Sequence, residues 1–191
     1  PEVTELSFAA HYAAARQVGG DFYDVIPLPN NRMGLVIADV SDKGMPAAMY
    51  MTLVRTLILA GAGQEESPRI VLNHVNRLLI DYARQDMFVT VFYGVIDMQT
   101  KVLTYARAGH DLPWIVRGGD VLELAGQGMA LGLFREAEAQ LTEESVQLQT
   151  GDLLMLYTDG LSELRNPVGV MLESAGLRAL VEDHAGLQPD P

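Results

Sequence analysis

Two kinds of pattern follow one another along this chain, and their order limits its fold more than any other feature. Short apolar runs of strand length occupy both ends, and the two long stretches free of turn residues lie between them, from Pro46 to about Arg84. Leu6 to Tyr12, Phe22 to Leu28 and Met33 to Val40 read as strands, parted by Gly19-Gly20 and by Pro29, Asn30 and Asn31. Ala47 to Leu59 follows the break at Gly44 and Pro46 and carries apolar groups all round its helical circumference. It stops at Gly61 and Gly63, so a largely buried helix is expected. Ser67 and Pro68 open a second, amphipathic helix whose Val71, Val75, Leu78, Leu79 and Tyr82 share one face. Six more strand-like runs follow: Phe88 to Asp97, Val102 to Ala108, Pro113 to Val116, Val121 to Leu124, Ser145 to Gln149 and Leu153 to Thr158. Turn chemistry lies at Asp97 to Thr100, Gly118-Gly119 and Thr150-Gly151. Gly126 to Glu144 reads as a surface loop with a short irregular segment, and Leu172 to His184 as a helix weakened by Gly176. Strands gathered at both ends of a helical pair predict an α+β fold of two stacked antiparallel sheets with the helices outside.

At 191 residues the chain has the size of a single domain, 1–191, with one sizeable core and no internal repeat or linker. Its 13 basic and 25 acidic residues leave a net charge of −12, which repels a phosphate backbone and argues against nucleic acid as a partner. The absence of cysteine excludes disulfides, thiolate zinc sites and every cysteine-nucleophile mechanism, and makes a reducing cytoplasm the expected compartment. The longest uncharged apolar stretch, Met45 to Val54, is shorter than the roughly 20 residues that span a bilayer, so no membrane insertion is expected. The chain opens at Pro1 without a signal-like run, and is read as a domain excised from a longer polypeptide.

No nucleophile elbow, phosphate-binding loop or H-E-x-x-H helix occurs, and Gly126, Gly128 and Gly132 miss the dinucleotide spacing by one residue. His11, His74, His110 and His184 lack ligand spacing and are expected to be structural or surface residues. What remains is a set of aspartates where apolar strands leave the core: Asp21 after Gly19-Gly20, Asp39 after Leu35-Val-Ile-Ala38, and Asp159 after Leu153-Leu-Met-Leu-Tyr157. Carboxylates drawn toward an apolar setting need a cation or hydrogen-bond donors. One answer is structural pairing with Arg16, Lys43 or Arg165; the other is a shared divalent metal centre, since hard cations take oxygen ligands and carboxylates can bridge two of them.

At these residues the chain resembles a known family. Gly19-Gly-Asp-Phe-Tyr-Asp24, Ala38-Asp-Val-Ser-Asp-Lys-Gly44, Phe88-Val-Thr-Val-Phe-Tyr-Gly94, Ala108-Gly-His110 and Gly151-Asp-Leu-Leu-Met-Leu-Tyr-Thr-Asp-Gly160 occur in its order and spacing. They resemble the stage II sporulation protein E type (SpoIIE-like, RsbU-like) serine phosphatase domain of the PPM, or protein phosphatase 2C, superfamily. The resemblance runs from about Leu6 to Asn166. It implies an αββα sandwich and a metal-dependent phosphatase that uses two manganese or magnesium ions without a phosphoenzyme. Asp21, Asp39 and Asp159 match the family's metal-binding and catalytic aspartates, the Val40 carbonyl its main-chain ligand, and Arg16 its phosphate-binding arginine. Asp24 is either a further ligand or a group behind the ligands. The implied partners are a phosphorylated anti-sigma factor antagonist as substrate and an upstream sensor or receiver domain in the same chain; a homodimer stays open.

Three departures stand out. Asp111 replaces the family's common asparagine, Leu172-Glu-Ser-Ala-Gly-Leu177 replaces its F-G-x-x-R-L element, and the terminal Asp-Asp-x-Thr strand does not occur before Pro191. The last departure keeps a rival in view, a degenerate phosphatase fold that binds a phosphoprotein without hydrolysing it. A small-molecule phosphoesterase is a third reading.

Overall fold

The computed structural model of the protein describes residues 6–13, 19–83 and 86–184. In chain order its elements are β1 (Phe22–Leu28), β2 (Arg32–Val40), α1 (Met45–Ala62), α2 (Pro68–Tyr82), β3 (Val89–Asp97), β4 (Val102–Ala108) and β5 (Trp114–Arg117). They continue with β6 (Asp120–Glu123), α3 (Ala137–Gln140), β7 (Glu143–Gln147), β8 (Leu153–Met155), α4 (Asp159–Ser162) and α5 (Glu173–Asp183). A five-stranded antiparallel sheet has the order β1-β2-β3-β4-β7, and a three-stranded one the order β6-β5-β8.

Strand alternation sorts the side chains into layers. Phe22, Val36, Ala38, Val91 and Tyr93 face α1 and α2, meeting Val54, Ile58, Leu72 and Val75. The alternate residues Leu35, Ile37, Phe92 and Ile96 face the second sheet, meeting Ile115 and Leu124, with Leu154 and Leu156 packed alongside. Trp114, Val116 and Tyr157 on the far side of that sheet are covered by Leu177 of α5. The result is an αββα sandwich, the architecture that the resemblance implies.

Local chemistry explains the turns. Gly118 and Gly119 both take positive φ, 61° and 100°, and form the two-residue connection between β5 and β6. The Asp97 carboxylate accepts from the amides of Gln99 and Thr100, which holds its carboxyl below the usual carboxylate range and fixes the β3–β4 connection. Ser67 caps α2, its side chain accepting from the Ile70 amide.

The structure corrects four expectations. Residues 7–13 form no strand, and the span Leu6 to Tyr12 contributes only an isolated bridge at Leu6. The run from Leu153 to Thr158 is strand only to Met155, which pairs with Trp114; the next position on β5 is Pro113, which has no N–H to continue the ladder. Helix α1 is not buried all round: Met45 and Met49 are 65% and 69% exposed. It is long and apolar enough to meet the length and composition of a membrane span, yet it packs on the sheet through Ala47, Tyr50, Val54 and Ile58. The segment from Gly126 to Glu144 is more than a surface loop, since it buries Leu131, Ala137 and Leu141 and bridges Leu131 to Val89. Gly176 in α5 also has a packing reason, because a Cβ there would lie 2.9 Å from Leu172 Cδ1.

Candidate metal centre

The register of β1 and β2 builds the first half of the site. Phe22 pairs with Ala38, and extending that ladder by one residue sets Asp21 opposite Asp39. Asp39 shares its face with Leu35 and Ile37, so both carboxylates lie at the open end of the inter-sheet layer. Like charges placed directly across a ladder repel. Partial burial pushes the Asp39 carboxyl up to about 8, and the Asp21 carboxyl, within hydrogen-bond reach, adds to the rise, as do the charges of Asp159 and Asp111.

The second half comes from the three-stranded sheet. Leu154 and Leu156 point into the inter-sheet layer, and Thr158 continues their alternation, so its Oγ1 donates to Asp21 Oδ2 at 2.8 Å. Asp159 begins α4 at the rim of the site. It is exposed, yet its carboxyl is raised, first by partial loss of hydration and then by Glu163 and Asp21, against Lys43 and the Gly160 amide. Asp111 approaches from the β4–β5 turn, its carboxyl raised by burial and by Asp159 and lowered by Arg107.

Between the halves lies His110, 3% exposed, with Nδ1 2.9 Å from Thr90 Oγ1. The Thr90 hydroxyl also lies 3.4 Å from the Asp39 carbonyl and, with one proton, donates to one of the two at a time. Burial pushes the imidazole down to about 4, against the pull of the Tyr157 main chain and Asp21, so the ring is neutral at pH 7. No hydrogen bond to Nε2 closes. Gly109 before it has φ 70°, and a Cβ there would lie 2.7 Å from the Ala130 nitrogen, so only glycine fits this turn.

The donor set suits a hard divalent cation. Carboxylates from two sheets face one another, and Lys43 is the described cation that moderates Asp159. A Cβ on Gly20 would lie 3.0 Å from the Val40 carbonyl oxygen, so this glycine leaves open the oxygen that the sequence singled out. Among the described residues no three His, Asp or Glu side chains are arranged to hold one ion by themselves. An ion here would take one or two protein carboxylates and complete its shell with water, as small hard cations do.

Other sequence candidates fall elsewhere. Asp24 lies on the opposite face of β1 from Asp21 and pairs with Arg55 of α1 at 2.6 Å, which removes it from the cluster. Arg165 donates to the Gly169 carbonyl and is no partner of these aspartates. Arg16 lies outside the described residues. Sequence patterning does not mark His110, Thr90 or Thr158 as site residues, although Thr158 stands in alternation with Leu154 and Leu156.

Comparison with known proteins gives this geometry a family. The description "Stage II sporulation protein E" matches residues 29–191. The chain belongs to the stage II sporulation protein E family. The phosphoserine phosphatase RsbU of Bacillus subtilis is 30% identical over 186 residues, an alignment covering 96% of this chain and 54% of RsbU. The RsbU and RsbW domains of a Mycobacterium tuberculosis protein superpose with a TM-score of 0.76 at 25% identity, covering 91% of this chain and 48% of that one. The PP2C phosphatase domain of SpoIIE from Bacillus subtilis, with a fragment of its regulatory domain, gives 0.76 at 22% identity, covering 92% and 50%. The chain thus spans about half the length of these relatives. Within the family, its Asp21–Asp39 pairing is set by ordinary strand register.

Proposed function

We propose that this domain is a metal-dependent protein phosphatase that hydrolyses phosphoserine or phosphothreonine esters on a protein. The observation that carries the reading is the set of carboxylates converging at the open end of the sandwich, with Asp39 raised to about 8 by partial burial and then by the neighbouring Asp21, Asp159 and Asp111. Two manganese or magnesium ions, held by Asp21, Asp39, Asp159 and the Val40 carbonyl, would supply water activation and charge neutralisation at the phosphoryl group. The chain's own residues do the rest. Asp21 and Asp39 hold fixed positions across a ladder, Thr158 ties the second sheet to Asp21, and Gly20 keeps the Val40 oxygen accessible. Arg16 is assigned to the phosphate on the resemblance alone.

The name of the phosphoserine phosphatase RsbU supports a phosphoserine substrate, and the resemblance points to a phosphorylated anti-sigma factor antagonist, in partner-switching control of a sigma factor. On the resemblance we read 1–191 as a cytoplasmic output domain fed by a sensor or receiver domain, a reading supported by the chain spanning about half the length of its relatives.

A second reading, binding of a phosphoprotein without hydrolysis, draws on the lack of a ready three-ligand cage among the described residues. Turnover of the longer protein with manganese separates the two. Release of phosphate from a phosphoserine protein, faster than from an aryl phosphate and abolished by a chelator, is the expected result. Tight binding of the phosphoprotein with no phosphate released under any divalent metal would establish the binding module instead.

A further inference from the structure

Arg107 stands on β4, three residues before His110, and its guanidinium is spent on main-chain carbonyls. Nε and Nη2 donate to the Gly126 carbonyl at 3.1 and 2.7 Å, and Nη1 donates to the His110 carbonyl. Its charge also lowers the Asp111 carboxyl, against the repulsion of Asp159 and Glu163. The two carbonyls belong to different loops. One is the 109–113 turn that carries His110 and Asp111; the other is the segment after β6, whose Gly128 carbonyl accepts from the Gly109 amide at 3.0 Å. Five donors in a planar fork allow one arginine to bridge two such carbonyls, which a lysine cannot reproduce.

The turn needs a clamp for an electrostatic reason. It brings the Asp111 carboxylate into the field of Asp159, and Glu163 adds to the same repulsion. Unrestrained, the loop would relax by swinging Asp111 outward into water. On its other side the turn seats the His110 ring on Thr90, whose hydroxyl touches the Asp39 main chain.

We propose that Arg107 is a positioning residue of the metal centre: its fork onto Gly126 and His110 fixes the 109–113 turn, and with it Asp111 against Asp159 and His110 against Thr90 and β2. This rests on reading the cluster as a divalent-metal site. Arg107 touches neither substrate nor metal ligand in this role; it acts through the turn.

The test compares the wild-type chain with Arg107→Lys and Arg107→Gln by manganese titration calorimetry, by melting without metal, and by circular dichroism. Lysine keeps the charge and loses the fork, so both variants should fold and both should bind manganese about tenfold more weakly than wild type. Wild-type affinity in Arg107→Lys would show that charge alone matters and overturn the clamp. Unchanged affinity in both variants, with only the melting temperature lowered, would reduce Arg107 to a stabilising residue and also overturn it. A wild-type chain that binds no manganese would sink the metal reading and this inference with it, an outcome distinct from the other two. If neither variant folds, hydrogen exchange on the metal-free wild-type chain decides: the Gly109 amide must be protected before any metal is added, and rapid exchange there refutes a preformed turn.

Discussion

The two sheets deliver carboxylates to one cluster by different means. On the five-stranded sheet, Asp21 and Asp39 are fixed by a ladder that also registers Leu35 with Val25 and Met33 with Pro27. A slip of one residue would turn Leu35 and Ile37 out of the inter-sheet core, so the positions of the two aspartates are tied to the burial of half a sheet. On the three-stranded sheet the ladder ends at Met155. Asp159 then sits on a four-residue helix and Asp111 on a turn, held by Thr158, Arg107 and Gly109. One half of the site is therefore set by the core, and the other by a few hydrogen bonds. The difference identifies which half can tolerate change, and which could adjust when an ion or a phosphoprotein arrives.

Substitutions at matched positions test that division most directly. Asp39→Asn should lower phosphatase turnover by at least about 100-fold with unchanged circular dichroism, because it removes a proposed metal ligand from the fixed half. Asp111→Asn should cost less than about tenfold, since the family commonly has asparagine there and the turn's clamp is untouched. Equal losses in the two variants would erase the distinction between the halves.

The fixed half should also show itself as a pH dependence. The Asp39 carboxyl rises from 3.8 to about 8 on folding, so the folded chain binds a proton that the unfolded chain releases across that window. The metal-free protein should therefore lose stability as pH climbs between those values, and Asp111 and Asp159, raised as well, act in the same direction. Melting curves of the metal-free protein check this. Asp39→Asn should flatten the slope and manganese should reverse it; a slope unchanged in Asp39→Asn would place the strain elsewhere.

Gly20→Ala probes the same half more gently. Its Cβ would press on the Val40 carbonyl oxygen at 3.0 Å and on Ala47 Cβ at 3.3 Å, so manganese affinity should fall about tenfold while the chain still folds. Calorimetry showing wild-type affinity would remove the Val40 oxygen from the site. The smallest effect belongs to the adjustable half: Thr158→Val loses one hydrogen bond to Asp21, which predicts about 1 kcal/mol of stability and a few-fold in turnover. A larger loss of turnover than of stability would mean that the second sheet is pinned to the first mainly through this hydroxyl.

Much of this was legible in the residues. The strands β1 and β4 run from Phe22 to Leu28 and from Val102 to Ala108, as their apolar runs predict, and the Ser67 cap and the Gly118-Gly119 turn appear where their chemistry requires. The three aspartates could be picked out because each follows an apolar run that must stop at the edge of the core. The outward face of α1 was not legible, because an apolar circumference does not say which side the sheet will cover; Met45 and Met49 are left in water although nothing in their type requires it. Nor was the early end of β8, which depends on a proline that only the pairing with β5 brings opposite Leu156.

The sequence by itself determined the class of the fold, the family, and which carboxylates stand at strand ends, because hydrophobic periodicity, turn residues and short motifs are local properties of the chain. Only the tertiary structure decided that Asp24 turns away to Arg55 while Asp21 meets Asp39, that a histidine without ligand spacing is buried beside Thr90, and that Arg107 bridges two loops. Those outcomes rest on which faces meet and which carbonyls are left unpaired when two sheets close on each other, and such relations do not exist until the layers have packed.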